Sequence, residues 1–149
     1  MSTIIFTEPK RWRNEGSLAD TSYWFALLNT RDTLHQKAVV MSRQLSAVQL
    51  VTSEMVFVEL LNSLSGGNPR ERSAVVSAVQ GFSRSGSVVV VPQTPEQFAI
   101  AFDRYKQSAD KNWSLTDCAS FQIMETERIT AALTHDHHFA QAGFEALLR

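Results

Sequence analysis

The sequence predicts an α/β fold in three layers, with a central, mainly parallel β-sheet flanked by helices. Short apolar runs alternate with longer amphipathic patterns along the chain, which is typical of strands joined by helical crossovers. The clearest strand is SVVVV at residues 87–91, which lies between Gly86 and Pro92. Because its valines would be apolar on both faces, this run favours a parallel sheet that is covered on both sides.

The composition fits one globular domain. Of the 149 residues, 44% are hydrophobic and 19% are charged, and the net charge is −1. These values exclude a disordered chain and give no general attraction to nucleic acid, so any RNA binding must be local. The single cysteine, Cys118, excludes a disulfide-stapled scaffold. No stretch approaches the ~18 apolar residues of a membrane span, so we expect a cytoplasmic protein without a membrane anchor.

We divide the chain into an N-terminal arm, residues 1–16, and a single domain, residues 17–149. The arm contains the densest basic patch, KRWR at residues 10–13, which we interpret as solvent-exposed, with RNA contact as the alternative. The expected strands are residues 17–20, 50–53, 87–91, 129–133 and, at an edge, 144–148. The expected helices are residues 22–29, 32–49, 54–64, 69–83, 95–108, 115–128 and a short one from about residue 137.

Acids that follow strands define the candidate site, because ligands bind outside the carboxyl ends of parallel strands. Asp20 ends the first strand, Asp136 follows the 129–133 strand, and Asp117 opens a helix. Each of these aspartates also has a structural explanation, either as a helix cap or as the acid of a capping box. The sequence leaves both interpretations open for all three.

Glu59 is harder to explain by structure alone. Its helix is apolar on nearly every side, so we expect a partly buried carboxylate that needs a partner or a cation. Glu54 lies in the first turn of the same helix, where the helix dipole stabilises an acid. We therefore select Glu59 for the site.

Four carboxylates at one sheet edge would repel one another. Two of them ~4 Å apart at an effective dielectric of ~20 repel by roughly 4 kcal/mol, so such a cluster takes up protons or binds a cation. We expect at least one of the four to have a pKa well above the ordinary value of about 3.9. Ligand sets made only of oxygen select Mg²⁺ or Mn²⁺, and a metal held this way supports hydrolysis of a nucleic-acid backbone.

Four segments resemble the motifs of PIN-domain ribonucleases and, among them, the VapC-type toxins of bacterial toxin–antitoxin pairs. They are ADTSYWFALLN with Asp20, TSEMVFVELLN with Glu59, WSLTDCASFQIM with Asp117, and ALTHDHHFAQAGFEALL with Asp136. The resemblance covers residues 18–148. It implies a PIN fold, a Mg²⁺ or Mn²⁺ site made by the four acids, an RNA substrate, an antitoxin that blocks the site, and a homodimer.

The neighbours of the four acids give further expectations. Hydroxyls beside them could hydrogen-bond around the metal or cap helices, and these belong to Thr21, Ser22, Thr116 and Thr134. The chain departs from the family pattern at its start. The 16 residues of the arm precede the first strand, whereas in relatives this strand usually begins near residue 1. The chain also has Asn112 where relatives often have another acid.

Three histidines around Asp136 suggest a zinc hydrolase as an alternative. A metallo-β-lactamase-like site needs more histidines than the four in this chain, so we exclude it. We interpret His135, His137 and His138 as facing solvent or RNA, with His135 and His137 flanking the metal site.

The aspartate after the first strand also suggests a phosphatase, and the PIN-like motifs also allow functions other than that of a toxin. A phosphatase with a nucleophilic aspartate would require Asp-x-Asp after the first strand, whereas Thr21 and Ser22 follow Asp20. A PIN-like module that binds RNA or protein without cleaving it remains an alternative, as does a solitary PIN nuclease with no antitoxin.

Overall fold

A computed structural model of the protein describes residues 16–149, so the predicted arm lies outside the described residues except for Gly16. The division into an arm and a single domain stays a prediction. The strands are β1 Ser17–Ala19, β2 Leu50–Ser53, β3 Val88–Val91, β4 Ala131–Leu133 and β5 Glu145–Ala146. The helices are α1 Thr21–Leu28, α2 His35–Gln44, α3 Glu54–Ser63, α4 Pro69–Arg84, α5 Pro95–Gln107, α6 Leu115–Glu127 and α7 His137–Gln141.

The five strands form one sheet in the order β3-β2-β1-β4-β5, and every neighbouring pair is parallel. Helices flank this sheet, so the predicted three-layer α/β fold is confirmed. Strand β1 lies at the centre between β2 and β4. Because all strands run the same way, the residues that follow β1 and β4 meet at one edge. No helix in the described part of the chain is both long and apolar enough to cross a bilayer.

Helix α2 is shorter than the predicted helix over residues 32–49. Before it, Asp32 Oδ1 accepts a hydrogen bond of 2.8 Å from the Leu34 N–H, which fixes a turn instead of a helical start. After it, the Val48 N–H bonds the Leu45 carbonyl at 3.0 Å in another turn. Side-chain periodicity continues through both turns, so it overestimates the length of the helix.

The predicted strand over residues 129–133 begins two residues later, at Ala131. The backbone N–H of Ile129 donates to the Met124 carbonyl at 2.8 Å and thereby closes the end of α6. Arg128 has φ 57°, the left-handed conformation that commonly ends a helix. The Ile129 N–H is therefore not available for pairing in the sheet.

Trp24 holds α1 against the centre of the sheet. Its indole Nε1 donates to Thr52 Oγ1 at 3.1 Å, and that hydroxyl donates to the Ala19 carbonyl at 2.8 Å. The indole also stacks on Phe82 of α4 with ring centroids 4.1 Å apart. These contacts fix the junction between β1 and α1, which is where Asp20 lies.

Candidate active site

The four predicted acids line one open cleft at the carboxyl edge of the sheet. Asp20 and Asp136 follow strands β1 and β4, Glu59 lies on α3, and Asp117 lies in the first turn of α6. The cleft has a volume of about 520 Å³. Residues that are far apart in the sequence therefore come together as the sheet topology requires.

Asp20 is held by a chain of hydroxyl groups. Thr134 Oγ1 donates to Asp20 Oδ2 at 2.8 Å, which uses the only proton of that hydroxyl. Thr134 Oγ1 must therefore accept from Ser22 Oγ, 3.3 Å away, and it also accepts from the Asp136 N–H at 3.0 Å. Ser22 Oγ in turn accepts from the His135 N–H at 3.2 Å. The chain orients Asp20 and joins the end of β1 to the loop after β4.

Burial raises the pKa of the Asp20 carboxyl from 3.8 to about 7. The hydrogen bonds from Thr134 and from the Thr21 backbone oppose this rise, while the charges of Asp117 and Glu59 add to it. The expectation of a raised pKa agrees with the structure, but desolvation is a larger cause than the crowding of carboxylates. Asp20 also occupies the N-cap position of α1 without making a side-chain capping bond, so capping does not explain this residue.

Asp117 lines the cleft and is also part of a capping box. It completes a capping box, because its N–H donates to Ser114 Oγ and the Ser114 N–H donates to its Oδ2, each at 3.0 Å. The same Oδ2 lies 3.0 Å from His138 Nδ1. Burial raises the pKa of Asp117, the Ser114 hydrogen bond opposes the rise, and the charge of Asp136 adds to it.

Asp136 caps the short helix α7. Its Oδ1 accepts a hydrogen bond of 2.9 Å from the His138 N–H and lies 3.3 Å from His138 Nδ1. Since an ionised carboxylate can only accept, His138 Nδ1 carries a proton when both aspartates are charged. These contacts use Oδ1 of Asp136 and Oδ2 of Asp117, so the described contacts leave the second oxygen of each carboxylate for a cation.

Glu59 is half-buried and faces the cleft, as the apolar character of its helix predicts. Its charge contributes to the raised pKa of Asp20. Glu54 is used elsewhere, because its Oε1 accepts a hydrogen bond of 2.7 Å from the Gln93 N–H. The geometry thus supports the choice of Glu59.

The predicted hydroxyls differ in position. Ser22 and Thr134 belong to the chain that holds Asp20, and Thr21 lines the cleft. The Thr21 hydroxyl is buried and has no hydrogen-bond partner in the described part of the chain. Thr116 is not among the residues that line the cleft.

The interpretation of His138 as a solvent-facing or RNA-facing residue is wrong. Its side chain is only 16% exposed and lies between Asp117 and Asp136. His135 lines the cleft, as expected of a flanking residue, whereas His137 is exposed and does not line it. Asp32 is a fifth acid in the cleft that the sequence argument missed. The sequence pattern placed Asp32 at the start of the predicted helix over residues 32–49 and gave no sign that it lines the cleft.

A second cleft adjoins the acidic one and shares Asn112 and Ser114 with it. Lys106, Lys111 and Tyr105 also line this neighbouring cleft. Both lysines and the tyrosine are exposed. Lys106 pairs with Asp103 and Lys111 pairs with Asp110, each at 3.4 Å, so lysine, aspartate and aromatic side chains lie beside the acidic lining.

The acidic cleft offers the type of donor atom that a hard divalent cation prefers. Its four carboxylates supply oxygen ligands, the donors that Mg²⁺ and Mn²⁺ prefer. Burial is the largest cause of the raised pKa values of Asp20 and Asp117, and a neighbouring carboxylate adds to each.

Fold and site together define an α/β protein with a cleft lined by carboxylates at the carboxyl edge of a parallel sheet. Residues 18–145 match the PIN domain, so the chain belongs to the PIN-domain family. Among solved structures, it is similar to Mycobacterium tuberculosis VapC20, described as a toxin that cleaves the sarcin–ricin loop. The two are 28% identical and superpose with a TM-score of 0.72 over 85% of this chain and 95% of VapC20. No curated protein matches the chain in sequence.

Proposed function

We propose that this protein is a Mg²⁺- or Mn²⁺-dependent endoribonuclease of the toxin type, which acts in the cytoplasm. The observation that carries the proposal is the convergence of Asp20, Glu59, Asp117 and Asp136 in one cleft. The PIN-domain match and the similarity to a VapC toxin support the same activity. Because VapC20 cleaves the sarcin–ricin loop, a structured RNA loop is a reasonable first substrate to try.

The four acids would hold the cation and position the scissile phosphodiester. A divalent cation bound there would polarise the phosphate and lower the pKa of the attacking water. Thr134 keeps Asp20 oriented through its hydrogen bond to Oδ2, and His138 does the same for Asp117. Cation binding would also bring the pKa of Asp20 back down, because the positive charge favours its ionised form.

The neighbouring cleft supplies a path for the RNA strand. Lys106 and Lys111 can exchange their exposed partners, Asp103 and Asp110, for phosphates, and the exposed ring of Tyr105 can stack on a base. Since this cleft adjoins the acids at Asn112, a strand lying there would lead its backbone toward the cation. Because the net charge of −1 gives no general attraction to RNA, RNA binding requires a local surface of this kind.

An antitoxin and a second copy of the chain are the proposed protein partners. Phe98 and Phe102 are exposed on α5 and stack with ring centroids 6.0 Å apart, which provides apolar surface for a partner. A small gene directly upstream that encodes a DNA-binding protein would support the antitoxin, and its absence would favour a solitary nuclease. Light scattering of the purified protein tests the dimer.

The nuclease is tested with purified protein and RNA that contains a stem–loop. We expect cleavage with Mg²⁺ or Mn²⁺ and none after EDTA is added. Asp20→Asn should abolish cleavage because it removes a charged ligand while keeping the shape of the side chain. Glu54→Gln is the matched control, since Glu54 lies on the helix that carries Glu59 but bonds Gln93.

Two results would contradict the proposal. Cleavage by Asp20→Asn at the wild-type rate would remove the acids from the mechanism. RNA binding without cleavage at any divalent cation concentration would favour the alternative of a binding module.

A further inference from the structure

We infer that Asp136, His137 and His138 form a second metal site, which selects Zn²⁺ over Mg²⁺ and lies at the rim of the acidic cleft. One ligand atom from each of the three residues lies within 4.8 Å of the others. The site is distinct from the four-carboxylate cluster because two of its three donors are imidazole nitrogens. It would share only Asp136 with that cluster.

The distances suit a tetrahedral ion. Asp136 Oδ1 lies 3.6 Å from His137 Nδ1 and 3.3 Å from His138 Nδ1. A tetrahedral zinc ion with bonds of ~2.0–2.1 Å separates its ligand atoms by about 3.3–3.4 Å. Both distances from Asp136 Oδ1 are therefore close to the spacing that zinc needs, and the two imidazole nitrogens lie within 4.8 Å of each other. Three protein ligands leave the fourth position open.

The chemistry of the donors sets the choice of metal. Imidazole nitrogen is a good ligand for Zn²⁺ and a poor one for Mg²⁺, which prefers oxygen. The acidic cleft has the opposite preference, because its ligands are carboxylates. His137 is exposed, so an ion can reach the site from solvent.

Zinc binding would disturb the acidic cleft through His138. The Nδ1 atom of His138 now lies 3.0 Å from Asp117 Oδ2 and donates to it when that carboxylate is charged. To bind zinc, Nδ1 must lose its proton, which Nε2 can carry instead in the neutral ring. Asp117 then loses this hydrogen bond, and Asp136 is drawn toward the zinc ion. Zinc is therefore an inhibitor of the proposed nuclease, and this consequence alone rests on the proposed function.

Isothermal titration of metal-free protein with Zn²⁺ tests the site without any need for RNA. We expect one tightly bound zinc ion in the wild type. His137→Ala removes one direct ligand and should weaken binding by about 100-fold, since even indirect partners of a metal contribute ~10–100-fold. His135→Ala is the matched control, because His135 is an exposed histidine two residues away whose Nδ1 donates to the Leu148 carbonyl at 3.2 Å. Its affinity for zinc should stay within about twofold of wild type.

Several outcomes would overturn the inference. They are the absence of zinc binding by the wild type, a loss of less than threefold in His137→Ala, and an equal loss in His135→Ala. Circular dichroism of both variants checks that they fold. In a separate assay, the zinc concentration that halves Mg²⁺-supported cleavage should rise by the same factor of about 100 in His137→Ala and stay unchanged in His135→Ala. If the protein binds zinc but cleaves no RNA, the zinc site stands and the proposed nuclease fails.

Discussion

Helices α4 and α6 begin with the same local structure in different surroundings. In α4, the side chain of Asn68 caps the Glu71 N–H at 2.9 Å, and Glu71 bonds back to the Asn68 N–H at 3.2 Å. In α6, Ser114 and Asp117 make the same reciprocal pair, with both bonds at 3.0 Å. Glu71 is exposed, whereas Asp117 is buried beside His138 and has a raised pKa.

The two helices show that the capping hydrogen bonds follow from the local sequence motif, whereas the surroundings of the capping acid depend on where the fold places it. Both capping boxes satisfy backbone N–H groups that a helix would otherwise leave open. Only the box of α6 lies at the carboxyl edge of the sheet, where its acid meets Asp20 and Asp136. A capping acid can therefore serve the backbone with one oxygen and a cation with the other.

The largest expected effect separates the two capping acids. Asp117→Asn should lower the rate of RNA cleavage by about 10³-fold, which corresponds to ~4 kcal/mol, because a charged ligand of the proposed cation is lost. Glu71→Gln makes the same chemical change in the exposed box and should cleave at the wild-type rate. Single-turnover cleavage under saturating metal measures both. Equal cleavage rates in the two variants would show that the position of Asp117 in the cleft contributes nothing to catalysis.

The pH dependence of the free energy of unfolding should reveal the raised pKa of Asp20, the buried acid that shares the cleft with Asp117. Because the pKa of Asp20 is about 7 in the folded protein and 3.8 in the reference state, the folded state binds the extra proton between these values. The stabilisation is therefore complete below pH ~4 and is lost as the pH rises through 7, by up to roughly 4 kcal/mol. Urea unfolding in EDTA across this range measures the loss.

Variants assign that pH dependence to its source. Asp20→Asn should have a flatter stability profile and be more stable than wild type at pH 8, because no charge is left to bury. Glu71→Gln should retain the wild-type profile. Adding Mg²⁺ should also flatten the wild-type profile, since the cation compensates the charge of Asp20. An unchanged slope in Asp20→Asn would mean that Asp20 titrates near its ordinary value.

The capping side chains of α4 and α6 should contribute equally to the free energy of unfolding. Asn68→Ala and Ser114→Ala each remove one capping side chain and should lower the free energy of unfolding by about 1 kcal/mol. Only Ser114→Ala should also slow RNA cleavage, because Ser114 lines the acidic cleft and its cap fixes the turn that carries Asp117. Chemical denaturation and cleavage assays on the same samples separate the two effects. A loss of activity in Asn68→Ala would contradict the comparison.

The fold could be predicted from patterns that act over short distances. The apolar run of β3 and the capping signals of α4, α5 and α6 gave elements within a residue or two of the structure. The errors occur where a backbone N–H bonds outside the expected element. In α2 the Asp32 side chain forms a turn, and at β4 the Ile129 N–H closes a helix. Hydrophobic periodicity carries no information about such bonds.

The candidate site was predictable to the extent that strand ends and the family motifs determine it. Asp20, Glu59, Asp117 and Asp136 meet because a parallel sheet brings their positions to one edge. The role of His138 was missed, because it depends on how the start of α7 faces α6, across 21 residues of sequence. The cause of the raised pKa of Asp20 was also misjudged, since its burial depends on packing around β1 and α1. These features arise from tertiary contacts that no local pattern contains.

The smallest expected effect concerns the lysines beside the acidic cleft. Lys106→Ala and Lys111→Ala should raise KM by about threefold each and leave kcat unchanged, because they lose a phosphate contact without touching the acids. The slope of log affinity against log salt should fall by ~0.7 per lysine on single-stranded RNA. Lys37→Ala is the control, since Lys37 bonds the Arg149 carbonyl at 2.8 Å and lines neither cleft. A matching change in Lys37→Ala would mean that RNA responds to overall charge, and the neighbouring cleft would then not be its path.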